Sequence, residues 1–162
     1  MVVSALAADV TVKLTDVHMC CGTCVKIAQN TVTNLAGVTA VASQEDESIT
    51  LTGPDLASLQ KAADELTAVG YFGKSDNATI KVSTSTGAMN MKMKTIDVSN
   101  VHLCCPKCVT AVNKIVGAVP GVTGLTGVAK NAKTFTVTGD FNDSDVFAAL
   151  QKGGLTGKEG KP

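Results

Sequence analysis

The stretch Val17–Val25 reads VHMCCGTCV, and 84 positions further along the chain Val101–Val109 reads VHLCCPKCV. The histidine and all three cysteines recur at matching positions. The same shift also aligns apolar residues, a Gly-Val-Thr triplet and two glycines: Val25, Ala28, Val32, Leu35, Gly37–Thr39, Gly70 and Gly73 fall on Val109, Val112, Val116, Val119, Gly121–Thr123, Gly154 and Gly157. Chance does not explain agreement over this length, so the sequence predicts a tandem duplication.

Each copy opens with a predicted strand and continues into a helix. Apolar residues alternate with polar ones from Val10 to Leu14, and again at Ile96 and Val98, which is the period of a half-buried strand. After the cysteine motif, apolar residues recur at i, i+3, i+7 and i+10, the spacing of one face of an α-helix. The cysteine motif is therefore expected at a junction between a strand and a helix in both copies.

A hairpin and a second helix complete each copy. The second helix is expected to begin at Asp55 in the first copy and near Asp143 in the second, where a carboxylate can cap the first turn. Gly70 and Gly154 are expected to stop these helices. Pairs of β-prone runs separated by polar turns predict the hairpins, at residues 38–43 and 49–52 and at residues 122–128 and 134–138.

The order strand-helix-strand-strand-helix-strand is the ferredoxin-like, split βαβ arrangement. The predicted fold class is therefore α+β, with two tandem ferredoxin-like βαββαβ sandwiches. The predicted domains are residues 9–76 and residues 92–160. Residues 77–91, rich in Ser, Thr, Asn and Ala, are expected to form a polar linker that partly supplies the last strand of the first domain.

The paired cysteines of each motif suit a soft metal ion. Cys21 and Cys24 are three positions apart, as are Cys105 and Cys108, and residues three apart on a helix share a face. A helix N-terminus supplies free N–H groups and partial positive charge, which favour thiolate over thiol. Soft thiolates select Cu(I) and zinc over hard cations. Two Cys-x-x-Cys pairs at equivalent points predict one metal site per domain, and a single ion that bridges the two pairs is the alternative, since the linker looks flexible enough to allow it.

These residues resemble the heavy-metal-associated domain of copper chaperones, copper-transporting ATPases and periplasmic mercury-binding proteins, in which Gly-Met-Thr-Cys-x-x-Cys opens the first helix of a βαββαβ fold. Met19 and Leu103 match the apolar position of that motif, and Gly70-Tyr71 matches a Gly-Tyr pair before the last strand. The metal cysteines of the family correspond to Cys21, Cys24, Cys105 and Cys108. The resemblance implies that the protein binds soft metal ions, copper above all, and transfers them to a protein partner.

The motif departs from the family pattern at two positions in each copy. His18 and His102 stand where the family has Gly, and Cys20 and Cys104 stand where it has Thr. One interpretation is Cu(I) bound by the Cys-x-x-Cys pair with help from the additional thiol. Another is a Cys₃His tetrahedron in each copy, which is zinc geometry. A polar loop role for the two histidines remains a third interpretation.

Other roles for the cysteines are open at this point. Structural disulfides fit poorly, because three cysteines within five residues cannot all pair within one copy. A thiol redox or oxidant-sensing module is the main alternative function, since redox proteins also place Cys-x-x-Cys between a strand and a helix. Met89, Met91 and Met93 alternate before the second copy and offer thioethers for Cu(I), although a plain linker explains them too.

The composition argues against several other classes of protein. All fourteen basic residues are lysines and aromatic residues make up 3% of the chain, whereas a nucleic-acid binder usually carries Arg forks and aromatic platforms. No apolar run reaches the roughly 20 residues that a membrane span needs. No catalytic triad or phosphate loop is evident, so no enzymatic activity is expected. The apolar start, Val2–Ala8, resembles the end of an export signal and predicts a periplasmic or secreted protein.

Overall fold

The computed structural model of the protein describes residues 8–160, and these contain four helices and two four-stranded antiparallel sheets. We call residues 9–76 the first half and residues 92–160 the second half. The signal-like start of the chain lies almost wholly outside the described residues. Within them, no helix combines the length and the apolar character that crossing a membrane requires.

The first half forms one sheet covered by two helices. The strand order is β2-β3-β1-β4, so the opening strand is central and pairs antiparallel with β3 and β4. Val12 and Leu14 on that strand are buried, which confirms the predicted alternation. The elements are β1 (Val10–Thr15), α1 (Gly22–Thr31), β2 (Thr39–Ser43), β3 (Ser48–Gly53), α2 (Leu56–Ala68) and β4 (Lys74–Ser75).

The second half repeats this architecture with the strand order β6-β7-β5-β8. Ile96 and Val98 on its central strand are buried, as predicted. Both sheets have the strand order of a ferredoxin-like fold, in which the two helices cover one face of an antiparallel sheet. The elements are β5 (Lys92–Ser99), α3 (Pro106–Gly117), β6 (Val122–Thr126), β7 (Thr134–Asn142), α4 (Asp143–Lys152) and β8 (Lys158–Gly160).

The first helix of each half buries the middle of the apolar stripe that the sequence predicts, but the stripe begins one residue earlier, at the last cysteine of the motif. Cys24 and Ala28 of α1 are fully buried, followed by Val32 at its C-terminal cap, whereas Leu35 lies beyond the end of the helix. This i, i+4, i+8 stripe places the last cysteine of the motif on the face that meets the sheet. In α3 the matching stripe begins at Cys108. The cysteine is thus part of the core as well as of the site.

The helix caps follow the prediction in the first half and differ from it in the second. The Asp55 carboxylate accepts a hydrogen bond from the backbone N–H of Ser58 at 2.7 Å and caps α2, as expected. In α4 the cap is Asn142, whose side chain accepts from the N–H of Ser144 at 3.0 Å. Asp143 is instead the first helical residue, because its carboxylate is engaged by the chain before β5.

The segment between the halves, residues 76–91, is anchored on both of them. It contains no helix or strand. The Gln60 side chain of α2 exchanges hydrogen bonds with the backbone of Lys81 at 2.8 Å, which attaches the segment to the first half. On the second half, the Asp143 carboxylate accepts from the N–H groups of Met89 and Met91 at 2.9 and 2.8 Å. The prediction that this segment supplies part of the last strand is wrong, because that strand is β4 and ends at Ser75; the segment is instead an irregular stretch held to both halves.

The two halves meet through a reciprocal backbone contact. The carbonyl of Gly154 accepts from the N–H of Phe72 at 3.2 Å, and the carbonyl of Gly70 accepts from the N–H of Thr156 at 3.0 Å. Tyr71 and Leu155 form an antiparallel β-bridge between them. Each half thus sets the turn after its second helix against the partner half, and this contact brings the two cysteine motifs together.

Candidate metal centre

The six cysteines of the chain lie in a single cluster at the junction of the halves, all with free thiols. Within each motif the Cys-x-x-Cys sulfurs are 3.6 Å apart, both for Cys21–Cys24 and for Cys105–Cys108. Contacts across the halves are shorter: the Sγ–Sγ distances are 3.2 Å for Cys20–Cys105, 3.2 Å for Cys20–Cys108 and 3.3 Å for Cys24–Cys104. The sequence predicts one site per copy, whereas the structure joins both motifs into one centre.

The N-termini of helices α1 and α3 place the thiols at this junction. Cys21 and Cys105 are the N-cap residues of α1 and α3, with extended backbones, and neither side chain caps its helix. Their sulfurs are therefore available to the cluster. Pro106 occupies the first turn of α3, a position that needs no N–H donor, and Gly22 occupies the corresponding place in α1. The positive ends of two helices thus point toward the six sulfurs.

Burial divides the cluster into an interior and a mouth. Cys24 and Cys108 have no exposed surface, and Cys104 is also buried. Cys20, Cys21 and Cys105 are partly exposed. An incoming thiol or metal ion therefore meets the partly exposed cysteines first, and the buried sulfurs hold an ion away from water.

The two buried sulfurs of the interior share a hydrogen bond that shifts their pKa values in opposite directions. The Cys108 thiol faces Cys24 with the sulfurs 3.9 Å apart. Hydrogen bonding from Cys108, opposed by burial and helped by His102 and Cys104, holds the pKa of Cys24 far below its ordinary value. The same bond, together with burial, raises the pKa of Cys108. These opposite shifts favour Cys24 over Cys108 as the sulfur that carries the negative charge.

The outer thiols also differ from one another. Burial acts to raise the pKa of Cys105, but the backbone N–H of Cys108 and the neighbouring thiols outweigh it and lower that pKa to about 7. Burial and the adjacent sulfurs instead raise the pKa values of Cys20 and Cys104. A second ready thiolate near neutral pH is therefore found at the mouth, where ligand exchange needs one.

The two motif histidines are in the cluster but have different partners. The Tyr71 hydroxyl lies 3.2 Å from His102 Nε2, and the two rings stack with centroids 4.3 Å apart. The same hydroxyl donates to the carbonyl of Cys24 at 2.7 Å. His18 Nε2 is buried without a hydrogen-bond partner, and burial lowers the pKa of this imidazole, which favours its neutral form. A neutral imidazole nitrogen with a free lone pair is a metal ligand.

Three groups of side chains have ligand atoms that all lie within 4.8 Å of one another. We name them by their donors, and together they contain all eight motif residues predicted as ligands. The thiol group contains Cys20, Cys21, Cys24 and Cys105; the Cys₃His group contains Cys24, His102, Cys104 and Cys108; the three-donor group contains His18, Cys20 and Cys108.

The donor set fits thiophilic metals and does not fit hard cations. A tetrahedral ion with metal–sulfur bonds of about 2.3 Å separates its sulfurs by roughly 3.8 Å, close to the 3.6 Å within each Cys-x-x-Cys pair. The predicted Cys₃His set within each copy does not occur among the described residues. The Cys₃His group that does occur takes Cys24 from the first half and its other three donors from the second.

Tyr71 is a contributor to the centre that the sequence alone does not reveal. Its position after Gly70 matches the family pattern, but nothing in a single sequence shows that the ring crosses to the other half. A groove of about 400 Å³ runs between the halves beside it, lined by residues of both, including Ile27, Val69, His102 and Cys104. This groove gives a second approach to the cluster from the side of His102.

The methionines just before β5 and at its start lie in a different setting from the cysteines. Met89 and Met91 have side chains that are 73% and 50% exposed, while Met93 is partly buried against the core. The backbone N–H groups of Met89 and Met91 donate to Asp143, and Met93 pairs with Phe141 in the sheet. A role for these thioethers in copper binding stays a prediction.

A search of solved structures matches the chain to a solution structure of the N-terminal soluble domains of Bacillus subtilis CopA. The identity is 18%, the match covers 96% of each chain, and the TM-score is 0.33. At these values the match carries no argument about the site. No protein-family model matches the chain, and the comparison with curated proteins gives no match.

Proposed function

We propose that this protein binds soft metal ions, Cu(I) above all, and carries or buffers them for transfer to a protein partner. The observation that carries the proposal is the convergence of six free thiols and two imidazoles at the junction of the halves, with sulfurs as close as 3.2 Å. Sulfurs this close can act together as thiolates only when a cation neutralises their charge, and thiolates select soft cations, so the cluster suits a soft metal ion.

The proposal includes the origin of the two halves as duplicated heavy-metal-associated domains. The matched motifs and the identical strand orders support this origin. Transfer would proceed by ligand exchange, in which a thiolate of the partner replaces one cysteine at a time. Cys21 and Cys105 are the starting points for that exchange, because they are partly exposed on the outer side of the cluster.

The direct test is an anaerobic Cu(I) titration of the reduced protein against a competing chelator, with Zn(II) titrated in parallel. We expect tight Cu(I) binding with Zn(II) clearly weaker. The matched control replaces all six cysteines by Ser, and its fold is checked by circular dichroism. Failure of the wild-type protein to compete for Cu(I), or equal binding by a folded six-serine variant, would contradict the proposal.

A second candidate function is zinc binding, and the Cys₃His group favours it specifically. Its donors are the four ligands of a closed structural zinc site. Under this candidate, Zn(II) would hold the halves together and would not be handed on. Tight Zn(II) binding that excess Cu(I) does not displace would favour this function over the copper carrier.

A further inference from the structure

The three ligand groups overlap in a regular way. Each pair of groups has one sulfur in common. The thiol group and the Cys₃His group share Cys24, the Cys₃His group and the three-donor group share Cys108, and the three-donor group and the thiol group share Cys20. No sulfur belongs to all three groups. Such a pattern describes a ring in which shared donors alternate with the places where ions would lie.

The three shared sulfurs form a triangle at the middle of the cluster. Its sides are 3.5 Å for Cys20–Cys24, 3.2 Å for Cys20–Cys108 and 3.9 Å for Cys24–Cys108. Two ligands of one tetrahedral, thiolate-bound ion are separated by roughly 3.8 Å. Each side of the triangle therefore has nearly the span that one metal ion requires. The triangle draws on both halves, because Cys108 belongs to the second and the other two belong to the first.

We propose that the cluster holds three soft metal ions in one ring, bridged by the sulfurs of Cys20, Cys24 and Cys108. This inference rests on the proposed function and specifies the number and the connection of the ions. The first ion takes Cys21 and Cys105 as its remaining ligands, the second takes His102 and Cys104, and the third takes His18. All eight cysteine and histidine donors are then used once or shared once.

The ring accounts for an observation that two separate Cys-x-x-Cys sites leave unexplained. His18 Nε2 is buried and has no hydrogen-bond partner, which is costly for a polar atom unless it has another ligand. In the ring this imidazole is the remaining ligand of the third ion. Each cysteine binds as a thiolate and releases its proton to solvent, so six thiolates face three cations and loading releases up to six protons.

Cadmium NMR with the spin-active isotope of Cd(II) tests both the number and the connection of the ions. Cd(II) is a thiophilic probe, and two ions that share a thiolate show scalar coupling to each other. We expect three resonances for the full-length protein, each coupled to the other two. Native mass spectrometry of the same samples should show three ions per chain. Two uncoupled resonances would overturn the ring while leaving soft-metal binding intact.

Three variants distinguish bridging ligands from terminal ones. Cys24→Ser should remove the coupling between the first and second resonances alone. Cys105→Ser should shift the first resonance and keep all couplings, because Cys105 is a terminal ligand; this partly exposed position also tests the ring if the buried Cys24 variant fails to fold. His18→Ala should reduce the count from three ions to two. Three ions retained by a folded His18→Ala protein would contradict the assignment of the third ion.

The outcomes separate this inference from the proposed function. A reduced wild-type protein that binds neither Cd(II) nor Cu(I) would remove the proposed function together with the ring. A protein that binds two Cd(II) ions independently, with Cys24→Ser losing one and Cys108→Ser losing the other, would keep the function and reject the ring.

Discussion

The first and second halves have the same strand order and the same cysteine motif, but they support their histidines differently. In the first half the residue after Gly70 is Tyr71, which crosses the junction and stacks on His102 of the second half. The matching residue of the second half is Leu155, which has no polar group that could form a hydrogen bond with His18. One imidazole is therefore held by a hydroxyl at its Nε2, whereas the buried Nε2 of the other has no hydrogen-bond partner.

This comparison shows which parts of the junction depend on backbone and which depend on side chains. The contacts made by Gly70 and Gly154 are reciprocal and nearly equal in length, so they give the junction an approximate twofold symmetry. The side chains around the cluster do not follow that symmetry. The two ends of the metal centre can therefore differ in chemistry while the halves remain docked in the same way.

The largest expected loss of stability comes from disrupting the close backbone approach that both halves share. Gly70 and Gly154 have φ angles of +95° and +75°, and a Cβ at either would collide with backbone atoms of the opposite cysteine loop, at His102 and His18 respectively. We expect Gly70→Ala and Gly154→Ala each to lower the free energy of unfolding by about 3 kcal/mol. Urea unfolding of the metal-free protein measures this.

Gly22→Ala is the matched control for these glycine variants. A Cβ at Gly22 has no atom within 4 Å, and the residue lies at the start of a helix. Its free energy of unfolding should not fall and should rise by up to about 1 kcal/mol, because Ala restricts the unfolded chain more than Gly does. Equal losses in all three variants would show that the close approach between the halves is not the cause.

An intermediate loss of stability is expected from replacing Asp143, whose carboxylate has no counterpart at the matching position of the first half. The backbone N–H groups of Met89, Met91 and Ser144 all donate to Asp143. Asp143→Asn should lower the free energy of unfolding by about 2 kcal/mol, since hydrogen bonds to a charged group are the strong ones. Asp55→Asn is the control, because Asn caps a helix as well as Asp does, and its unfolding midpoint should not change.

The effect of Asp143 should depend on pH. Burial acts to raise the pKa of this carboxyl, but the donating N–H groups outweigh it and hold the pKa below its ordinary value of 3.8. A lowered pKa in the folded state gives stability that is present above the unfolded value and is lost as the pH falls through the folded value. The difference in the free energy of unfolding between wild type and Asp143→Asn should therefore be largest at pH 7 and should decrease below pH 3.8. A constant difference would contradict this account.

The smallest effect on stability is expected at the residue that distinguishes the halves. Tyr71→Phe keeps the ring against His102 and removes the hydroxyl that donates to the carbonyl of Cys24. We expect a loss of about 1 kcal/mol, measured by urea unfolding. The control is Phe72→Leu, a half-buried neighbour with no hydroxyl. A Tyr71→Phe protein as stable as wild type would mean that the hydroxyl does not set the two histidines apart.

The elements of each half could be predicted from the sequence because their signals are local. Alternation at Val12 and Leu14 and the caps and stops at Asp55 and Gly70 depend on neighbours along the chain. Strand β7 extends to Asn142, beyond the predicted end at residue 138, because its pairing with β5 continues after a bulge between Met93 and Thr95. Long-range pairing of this kind leaves no mark in a local pattern.

The cysteines and histidines of the site could also be predicted, but their arrangement could not. Repetition of the motif suggests two equal sites, and nothing in it states how the halves dock. The docking depends on two glycines whose sequence signal is that of a helix stop, while their second role, the close approach to the opposite loop, has no separate signal. The asymmetry between His18 and His102 follows from Tyr71 and Leu155 at matching positions, but only the docking shows that these residues face the opposite half.

The anchoring of residues 76–91 has a consequence for the energetics of metal capture. Two ligand sets on freely moving domains would lose rotational and translational freedom when an ion joined them, and that loss would weaken binding. Here Gln60 holds one end of the segment to the first half and Asp143 holds the other end to the second. The ligands are therefore preorganised, and much of the entropic cost of assembling the centre is met during folding, before any ion arrives.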